Sequence, residues 1–108
     1  MSGDDLAETL AERGRDYGDF NEMCLVIQRL KSAAKAGHGY SDLGAFHKES
    51  LDMIFTKIGR IVVGDHNKID TWHDIAGYAT LVEEELEGMI LSAEDSFNRG
   101  FSQSQGRD

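Results

Sequence analysis

Two pairs of carboxylates near the middle of the chain have the spacing that places side chains on one face of a helix. Glu49 and Asp52 are three residues apart, and Asp70 and Asp74 are four apart, so the members of each pair lie about one helical turn from each other. If the two helices pack side by side, we expect the four carboxylates to converge. A divalent cation would relieve their repulsion, and an all-oxygen ligand set favours Mg²⁺, with Mn²⁺ as the alternative, over zinc.

Two basic residues follow the first pair on the same helix. Lys57 and Arg60 lie one to two turns beyond Asp52, and their cationic groups bind phosphate oxygens strongly. Magnesium held by carboxylates commonly completes its coordination with water and substrate phosphates. We therefore predict phosphoryl chemistry. The predicted catalytic residues are Glu49, Asp52, Lys57 and Arg60, and the predicted metal ligands are Glu49, Asp52, Asp70 and Asp74.

A polar and aromatic segment near the start of the chain has the residue types that contact a base and a sugar. Tyr17 and Phe20 supply rings, and Asp19 and Asn21 supply groups that read a base edge. The alternative is that Asp19 only caps a helix that Phe20 anchors. Tyr78 fits either the same pocket or a subunit interface. The predicted substrate-binding residues are Tyr17, Asp19, Asn21, Lys57, Arg60 and Tyr78.

Four helices must position these residues. The chain has no proline, and an all-α fold with long uninterrupted helices is favoured. We predict helices over residues 5–13, 20–35, 45–63 and from 70 to at least 91, the last extending toward 98. Gly14 and Gly64 are predicted to end the first and third helices, and Asp19 to cap the second. The expected architecture is a four-helix bundle that forms oligomers, with one domain over 1–98 and a flexible tail over 99–108.

The third and fourth helices are amphipathic. On a helical wheel the apolar residues of each occupy an arc of roughly 120° opposite the carboxylates. We predict that these arcs form the core; they comprise Leu51, Ile54, Phe55, Ile58, Ile61 and Val62 on the third helix and Trp72, Ile75, Ala76, Ala79, Val82 and Leu86 on the fourth. Gly77 is costly within a helix, so we expect a ligand or a neighbour to approach it closely.

Composition limits the partners. The chain has 20 acidic and 11 basic residues, with a formal net charge of −9, so a nucleic-acid backbone binder is not expected. No apolar run approaches the length of a membrane span, so we expect no membrane partner. The single cysteine, Cys24, cannot form an intramolecular disulfide, and we therefore expect a cytoplasmic protein.

The two carboxylate-bearing segments resemble the MazG-type all-α nucleoside triphosphate pyrophosphohydrolases. The hallmark of that family is E-E-x-x-E on one helix and E-x-x-D on the next. In KESLD, the second and third glutamates of the family fall on Glu49 and Asp52, and Lys48 replaces the first. In TWHD the closing aspartate falls on Asp74, and Thr71 replaces the glutamate. The resemblance runs from about residue 10 to 86 and includes RDYGDF, SLDMIFTKIGRIVVGD and DTWHDIAGYATLVEEEL.

The resemblance implies an activity and an assembly. It implies Mg²⁺-dependent cleavage of a (deoxy)nucleoside triphosphate between the α and β phosphates, in which a metal-activated water attacks the α-phosphorus. The products would be the monophosphate and pyrophosphate. Relatives form dimers or tetramers, so a homodimer or homotetramer is expected here. The wider strings resemble small phage members, which would act in the host cytoplasm; some of these, the MazZ type, act on dGTP, which makes dGTP one candidate substrate.

Two other interpretations remain open. The chain could be a non-catalytic acidic helical protein, such as a phage inhibitor that mimics a polyanion; such a mimic would not need Lys57 and Arg60 beside its acids. The dipeptide His73-Asp74 also occurs in HD-domain phosphohydrolases. We disfavour that fold because His38 and His66 fall in predicted loops and the chain is short for it.

Overall fold

A computed structural model describes the backbone of residues 3–105 and the side chains of residues 5–98. Four α-helices and one short 3₁₀ turn account for nearly all of it. They are α1 (Gly3–Tyr17), α2 (Phe20–Lys35), the 3₁₀ turn (Tyr40–Asp42), α3 (Ala45–Val63) and α4 (Ile69–Gln105). The predicted all-α class is confirmed for the described residues. None of these helices combines the length and apolar composition that crossing a bilayer requires.

Local signals explain most of the helix ends. The Asp19 carboxylate accepts a hydrogen bond of 2.8 Å from the backbone N–H of Glu22, as an N-cap does. Gly64 ends α3, and its N–H donates to the carbonyl of Arg60 at 2.9 Å. The prediction that α1 ends at Gly14 is wrong. The helix continues to Tyr17 and the chain turns at Gly18, whose φ of 78° suits glycine.

The centre of the fold is α3, which packs against each of the other three helices. Its contact with α2 depends on Gly59. A Cβ at Gly59 would lie 2.6 Å from Ile27 Cγ1 and 3.3 Å from Met23 Cγ, so the two helices approach closely because this position has no side chain. Met23 and Ile27 are the buried apolar side chains of the described residues.

On α4, the face that contacts α3 differs from the predicted one. Thr71 is buried, and Asp74 and Tyr78 are partly buried, whereas Trp72 is 53% exposed. The arc predicted as core is therefore wrong in part, because the contact face is rotated by about a quarter turn from it on the helical wheel. Ile75 and Val82 are partly buried, whereas the other four members are exposed: Trp72, Ala76, Ala79 and Leu86. The indole N–H of Trp72 instead donates to the carbonyl of His66 at 2.8 Å. Nothing approaches within 4 Å of a Cβ built at Gly77, so the expected close neighbour is also not found in this chain.

The second half of α4 extends past the other helices. Among the helices described, α4 packs on α3 alone, and every residue from 83 to 98 is exposed. The molecule is consequently elongated, with extents of 78 × 34 × 26 Å. The helix backbone also continues through 99–105, into the segment predicted to be a flexible tail; residues 106–108 lie outside the described residues.

Candidate functional site

The α3–α4 contact contains an ion pair between two of the predicted site residues. Lys57 Nζ lies 2.9 Å from Asp74 Oδ2, and the Lys57 side chain is only 11% exposed, whereas that of Asp74 is 45% exposed. The hydrogen bond from the Lys57 ammonium, with the smaller effects of nearby His73 and Arg60, holds the pKa of Asp74 below its ordinary value. Asp74 is thus an ionised carboxylate that already accommodates a cation.

The other predicted metal ligands take no part in this ion pair. Glu49 and Asp70 are exposed and Asp52 is partly buried. Across the described side chains, no three His, Cys, Asp or Glu residues group in a way that could hold a metal ion. The expected convergence of four carboxylates is not seen in the single chain, and their roles as ligands stay predictions. Asp70 is also one residue out of register with Thr71 and Asp74, which face α3.

A cavity of about 730 Å³ brings together three of the predicted substrate-binding residues. Tyr17, Asp19 and Arg60 line it, and Phe20 and Met23 add apolar walls. The Arg60 guanidinium lies 4.5 Å from the centre of the Tyr17 ring, within range of a cation–π contact. Asn21 is exposed and does not line this cavity. The wall thus combines rings, a carboxylate and guanidinium groups.

Backbone contacts between the ends of α1 and α3 hold Tyr17 in this position. The N–H of Asp65 donates to the carbonyl of Asp16 at 2.7 Å. A Cβ at Gly18 would collide with the Val63 backbone, and one at Gly64 would collide with the Tyr17 backbone. Two glycines therefore allow the two chain segments to cross in direct contact, which sets the ring of Tyr17 against the last turns of α3.

A second cavity, of about 480 Å³, adjoins the first on the other side of Tyr17. It shares Arg13, Tyr17 and Arg60 with the first cavity and adds Lys68. Lys68 Nζ donates to Asp16 Oδ2 at 2.9 Å, and this bond raises the pKa of Lys68. The sequence pattern did not indicate Arg13 or Lys68 as site residues. Their positions in RGRDYGDF and DHNK give no motif, and only the folded chain places them beside Arg60.

Glu49 and Tyr78 lie together at the opposite end of the α3–α4 pair. Both line a cavity of about 350 Å³ between the two helices. This position leaves both predicted roles of Tyr78 open, because the cavity is at the surface. Lys48, which replaces the first glutamate of the resembled motif, lies with its Nζ 5.3 Å from the centre of the Tyr40 ring.

The predicted site residues therefore occupy three places along α3. At about 1.5 Å per residue, Glu49 is roughly 16 Å along the helix axis from Arg60, with Lys57 and Asp74 between them. Arg60 and Lys57 are one turn apart, so the cavity lined by Tyr17 and Arg60 is next to the Lys57–Asp74 ion pair. Glu49 is the most remote member of the set.

Comparison of the chain with protein-family models, curated proteins and solved structures returns no match.

Proposed function

We propose that this chain is a Mg²⁺-dependent pyrophosphohydrolase that converts a (deoxy)nucleoside triphosphate to the monophosphate and pyrophosphate. The observation that supports it most is the position of Asp74. This ionised carboxylate on α4 pairs with Lys57 on α3. Lys57 lies one turn from Arg60, which lines the cavity of about 730 Å³ beside Tyr17. A metal-binding group, phosphate-binding cations and a ring that can stack on a base are thus neighbours in one chain. The resemblance of the two motif segments supports the same chemistry and leaves dGTP as a candidate substrate.

The donor set at Asp74 fits magnesium. Mg²⁺ is usually held by one or two carboxylates together with substrate phosphates and water, so a cluster of three acidic side chains is not required. Asp74 is half exposed, and its Oδ2 is engaged by Lys57 at 2.9 Å, so a metal ion would bind the other carboxylate oxygen or displace the ammonium. We assign Asp74 as the first ligand, with Asp52 as a further ligand; Glu49, which lies in a separate cavity, and Asp70 are the least supported in a single chain. When bound, the ion supplies a polarised phosphoryl group and an activated water.

The side chains around the ion have separate tasks in this proposal. Lys57 and Arg60 bind phosphate oxygens and neutralise the leaving pyrophosphate. Tyr17 stacks on the base, and Asp19, whose Oδ2 already accepts one backbone hydrogen bond, has its other oxygen available to accept from a base edge. Asn21 and Tyr78 are outside this cavity, so they contact the substrate only if a second chain contributes to the site.

The exposed apolar face of α4 supports oligomerisation. Trp72, Leu86, Met89 and Ile90 are between 41% and 59% exposed, and they follow the helical spacing of an apolar stripe. The part of this 37-residue helix from residue 83 to 98 is exposed in the single chain, whereas most helical stability comes from packing of an amphipathic face, and exposed apolar patches mark interaction sites. We infer that a second copy of the chain covers this face in a homodimer or a dimer of dimers.

One observation favours a non-catalytic alternative. Glu83, Glu84, Glu85 and Glu87 are all exposed on the projecting part of α4, where an acidic surface could bind a basic partner protein. This function would need neither Asp74 nor a divalent ion. The nucleotide assay described next therefore distinguishes the enzyme from the interaction protein.

The test is a panel of ribo- and deoxyribonucleoside triphosphates, each with Mg²⁺ or Mn²⁺, in which monophosphate and pyrophosphate are measured. We expect release from at least one nucleotide and a loss of 100-fold or more, on the order of one catalytic group, in Asp74→Asn. Glu87→Gln, a matched change on the same helix, should retain full activity. Mn²⁺ should raise the melting temperature of the wild type and not that of Asp74→Asn. No release from any nucleotide, with a melting temperature that follows ionic strength only, would contradict the enzyme and favour the acidic interaction protein.

A further inference from the structure

Two cationic side chains lie near the ring of Tyr17, a third lines the cavities beside it, and the three come from different parts of the chain. The Arg60 guanidinium lies 4.5 Å and the Lys68 ammonium 5.5 Å from the ring centre, and Arg13 lines both cavities that meet at the ring. Although the chain has a net charge of −9, the second cavity is lined by three cationic and two acidic side chains.

In the second cavity the carboxylates are fewer than the cations, whereas Asp19 lines the first cavity. Lys68 pairs with Asp16, and Glu12 is the other acidic residue that lines the second cavity. Among the described side chains, neither Arg13 nor Arg60 has an ion pair, and Arg60 Nε is buried without a hydrogen-bond partner. Guanidinium groups carry five donors in a fixed fork. Two such groups are thus left with donors that no protein acceptor uses.

Lys57, in contrast, already forms an ion pair. Its ammonium is engaged by Asp74, and the side chain is 11% exposed. A polyphosphate can contact Lys57 only where it passes Asp74, whereas Arg60 is open to two adjoining cavities. Of the two cations that the helix spacing of α3 indicated, only Arg60 is therefore well placed to hold the far end of a polyphosphate.

We propose that Arg13, Arg60 and Lys68 form a binding site for a polyphosphate anion, in the cavity between α1, the end of α3 and the turn before α4. The inference rests on the proposed function in one respect: it makes this site the place that receives the β and γ phosphates of a nucleotide. The site binds the anion through charge-assisted hydrogen bonds, and Asp16 competes with the anion for Lys68. Anion binding by itself requires neither a metal nor hydrolysis.

The experiment is calorimetric titration of the full chain with inorganic tripolyphosphate, in chelator and at low salt. We expect saturable binding with one anion per chain, and a loss of about tenfold or more in affinity in Arg60→Gln and in Lys68→Gln, because each removes charged hydrogen bonds. Lys35→Gln removes the same charge as Lys68→Gln at the far end of α2 and should bind as the wild type does. Circular dichroism at the titration temperature verifies that each variant is helical.

Asp16→Asn separates a binding role of Lys68 from a structural one. The change breaks the same ion pair as Lys68→Gln and frees the ammonium, so the proposal expects tighter tripolyphosphate binding, by about threefold to tenfold. If Lys68 only fastened the chain at Asp16, both variants would weaken binding alike, and that result would overturn its role. Absence of saturable binding in the wild type, or an equal loss in Lys35→Gln, would overturn the site.

The outcomes also distinguish this site from the proposed function. Tripolyphosphate binding with the expected variant pattern, but without hydrolysis of any nucleotide, would leave the site in place and remove the enzyme. Nucleotide hydrolysis with a KM that Lys68→Gln and Arg13→Gln do not raise would leave the enzyme in place and remove the site. A nucleoside triphosphate that competes with tripolyphosphate would identify the nucleotide tail as the anion bound there.

Discussion

Lys57 and Asp74 form the contact on which the proposed site depends. A lysine that is 11% exposed retains its charge at low cost only if a carboxylate stays beside it. Helix spacing marked both residues as functional, but it did not indicate that they pair. In this arrangement the Lys57 ammonium occupies the Asp74 carboxylate. A metal ion would have to share that carboxylate with Lys57 or displace Lys57 from it.

The lowered pKa of Asp74 predicts how stability changes with pH in the absence of metal. Because the folded chain favours the ionised carboxylate, Asp74 stabilises the fold fully above its ordinary pKa of about 3.9. That contribution is lost as the pH falls through the lower folded-state value. We expect Asp74→Asn to lower the melting temperature at pH 7, where Lys57 loses its partner, and to reduce the steepness of the loss below pH 4.

Melting curves from pH 2.5 to 7 in chelator test this prediction. Glu87→Gln is the matched control, because Glu87 is exposed and forms no ion pair among the described residues. Equal acid sensitivity of Asp74→Asn and the wild type would show that the Lys57–Asp74 pair contributes nothing to folding.

At the scale of the elements, the glycines on α3 and α4 have opposite surroundings. Gly59 lies where α2 crosses α3, and an added methyl group would meet Ile27 Cγ1 at 2.6 Å. Gly77 and Gly88 on α4 have nothing within 4 Å. Glycine at Gly59 therefore sets the distance between two helices, whereas the glycines of α4 only lower its helix propensity.

The same change at the two kinds of position should have opposite effects. We expect Gly59→Ala to lower the free energy of unfolding by about 1–3 kcal/mol through overpacking, and Gly77→Ala to raise it by up to about 1 kcal/mol. Urea denaturation followed by circular dichroism measures both, with Gly88→Ala as a second open position. A stabilising Gly59→Ala would contradict the close α2–α3 approach. A destabilising Gly77→Ala would indicate that a neighbour from outside the chain contacts that side of α4.

At the scale of the whole molecule, the projecting half of α4 leaves apolar side chains exposed in the single chain. A chain with extents of 78 × 34 × 26 Å and two buried apolar side chains among those described has a small core for its length. In the predicted core arc of α4, Trp72 and Leu86 are exposed, whereas Ile75 and Val82 are partly buried. We expect another copy of the chain to cover the exposed part. The helical wheel thus predicted an apolar face, of which α3 covers only one edge in the single chain.

Charge placed on this face should dissociate the oligomer. We expect the wild type to have the mass of a dimer or tetramer, and Leu86→Glu and Ile90→Glu to shift it to the monomer, because each would bury a carboxylate in an apolar interface. Leu25→Glu changes a similarly exposed leucine on α2 and should leave the mass unchanged. Light scattering after size-exclusion chromatography measures all four. A monomeric wild type would contradict the assembly.

The sequence by itself determined the helices and the residues worth testing. The bounds of α2 and α3 follow from Asp19, Gly64 and the 3.6-residue apolar period, all of which act within one or two turns of the chain. The type and spacing of Asp74 and Lys57 likewise marked them as chemically capable. Such local signals need no knowledge of which helices touch.

Only the tertiary structure decided which helix faces pack together and which side chains are neighbours. In the folded chain, Thr71 and Asp74 of α4 face α3, whereas Trp72 does not. Arg13 and Lys68 line the same cavity as Arg60, although Arg13 is 47 residues before it in the sequence and Lys68 is 8 residues after it. A helical wheel cannot give either result, because an amphipathic helix can bury its apolar face against its own chain or against another one, and each choice rotates it differently. The cation cluster depends further on two glycines, Gly18 and Gly64, that let separate segments cross in contact. Periodicity therefore predicts faces, and packing assigns their neighbours.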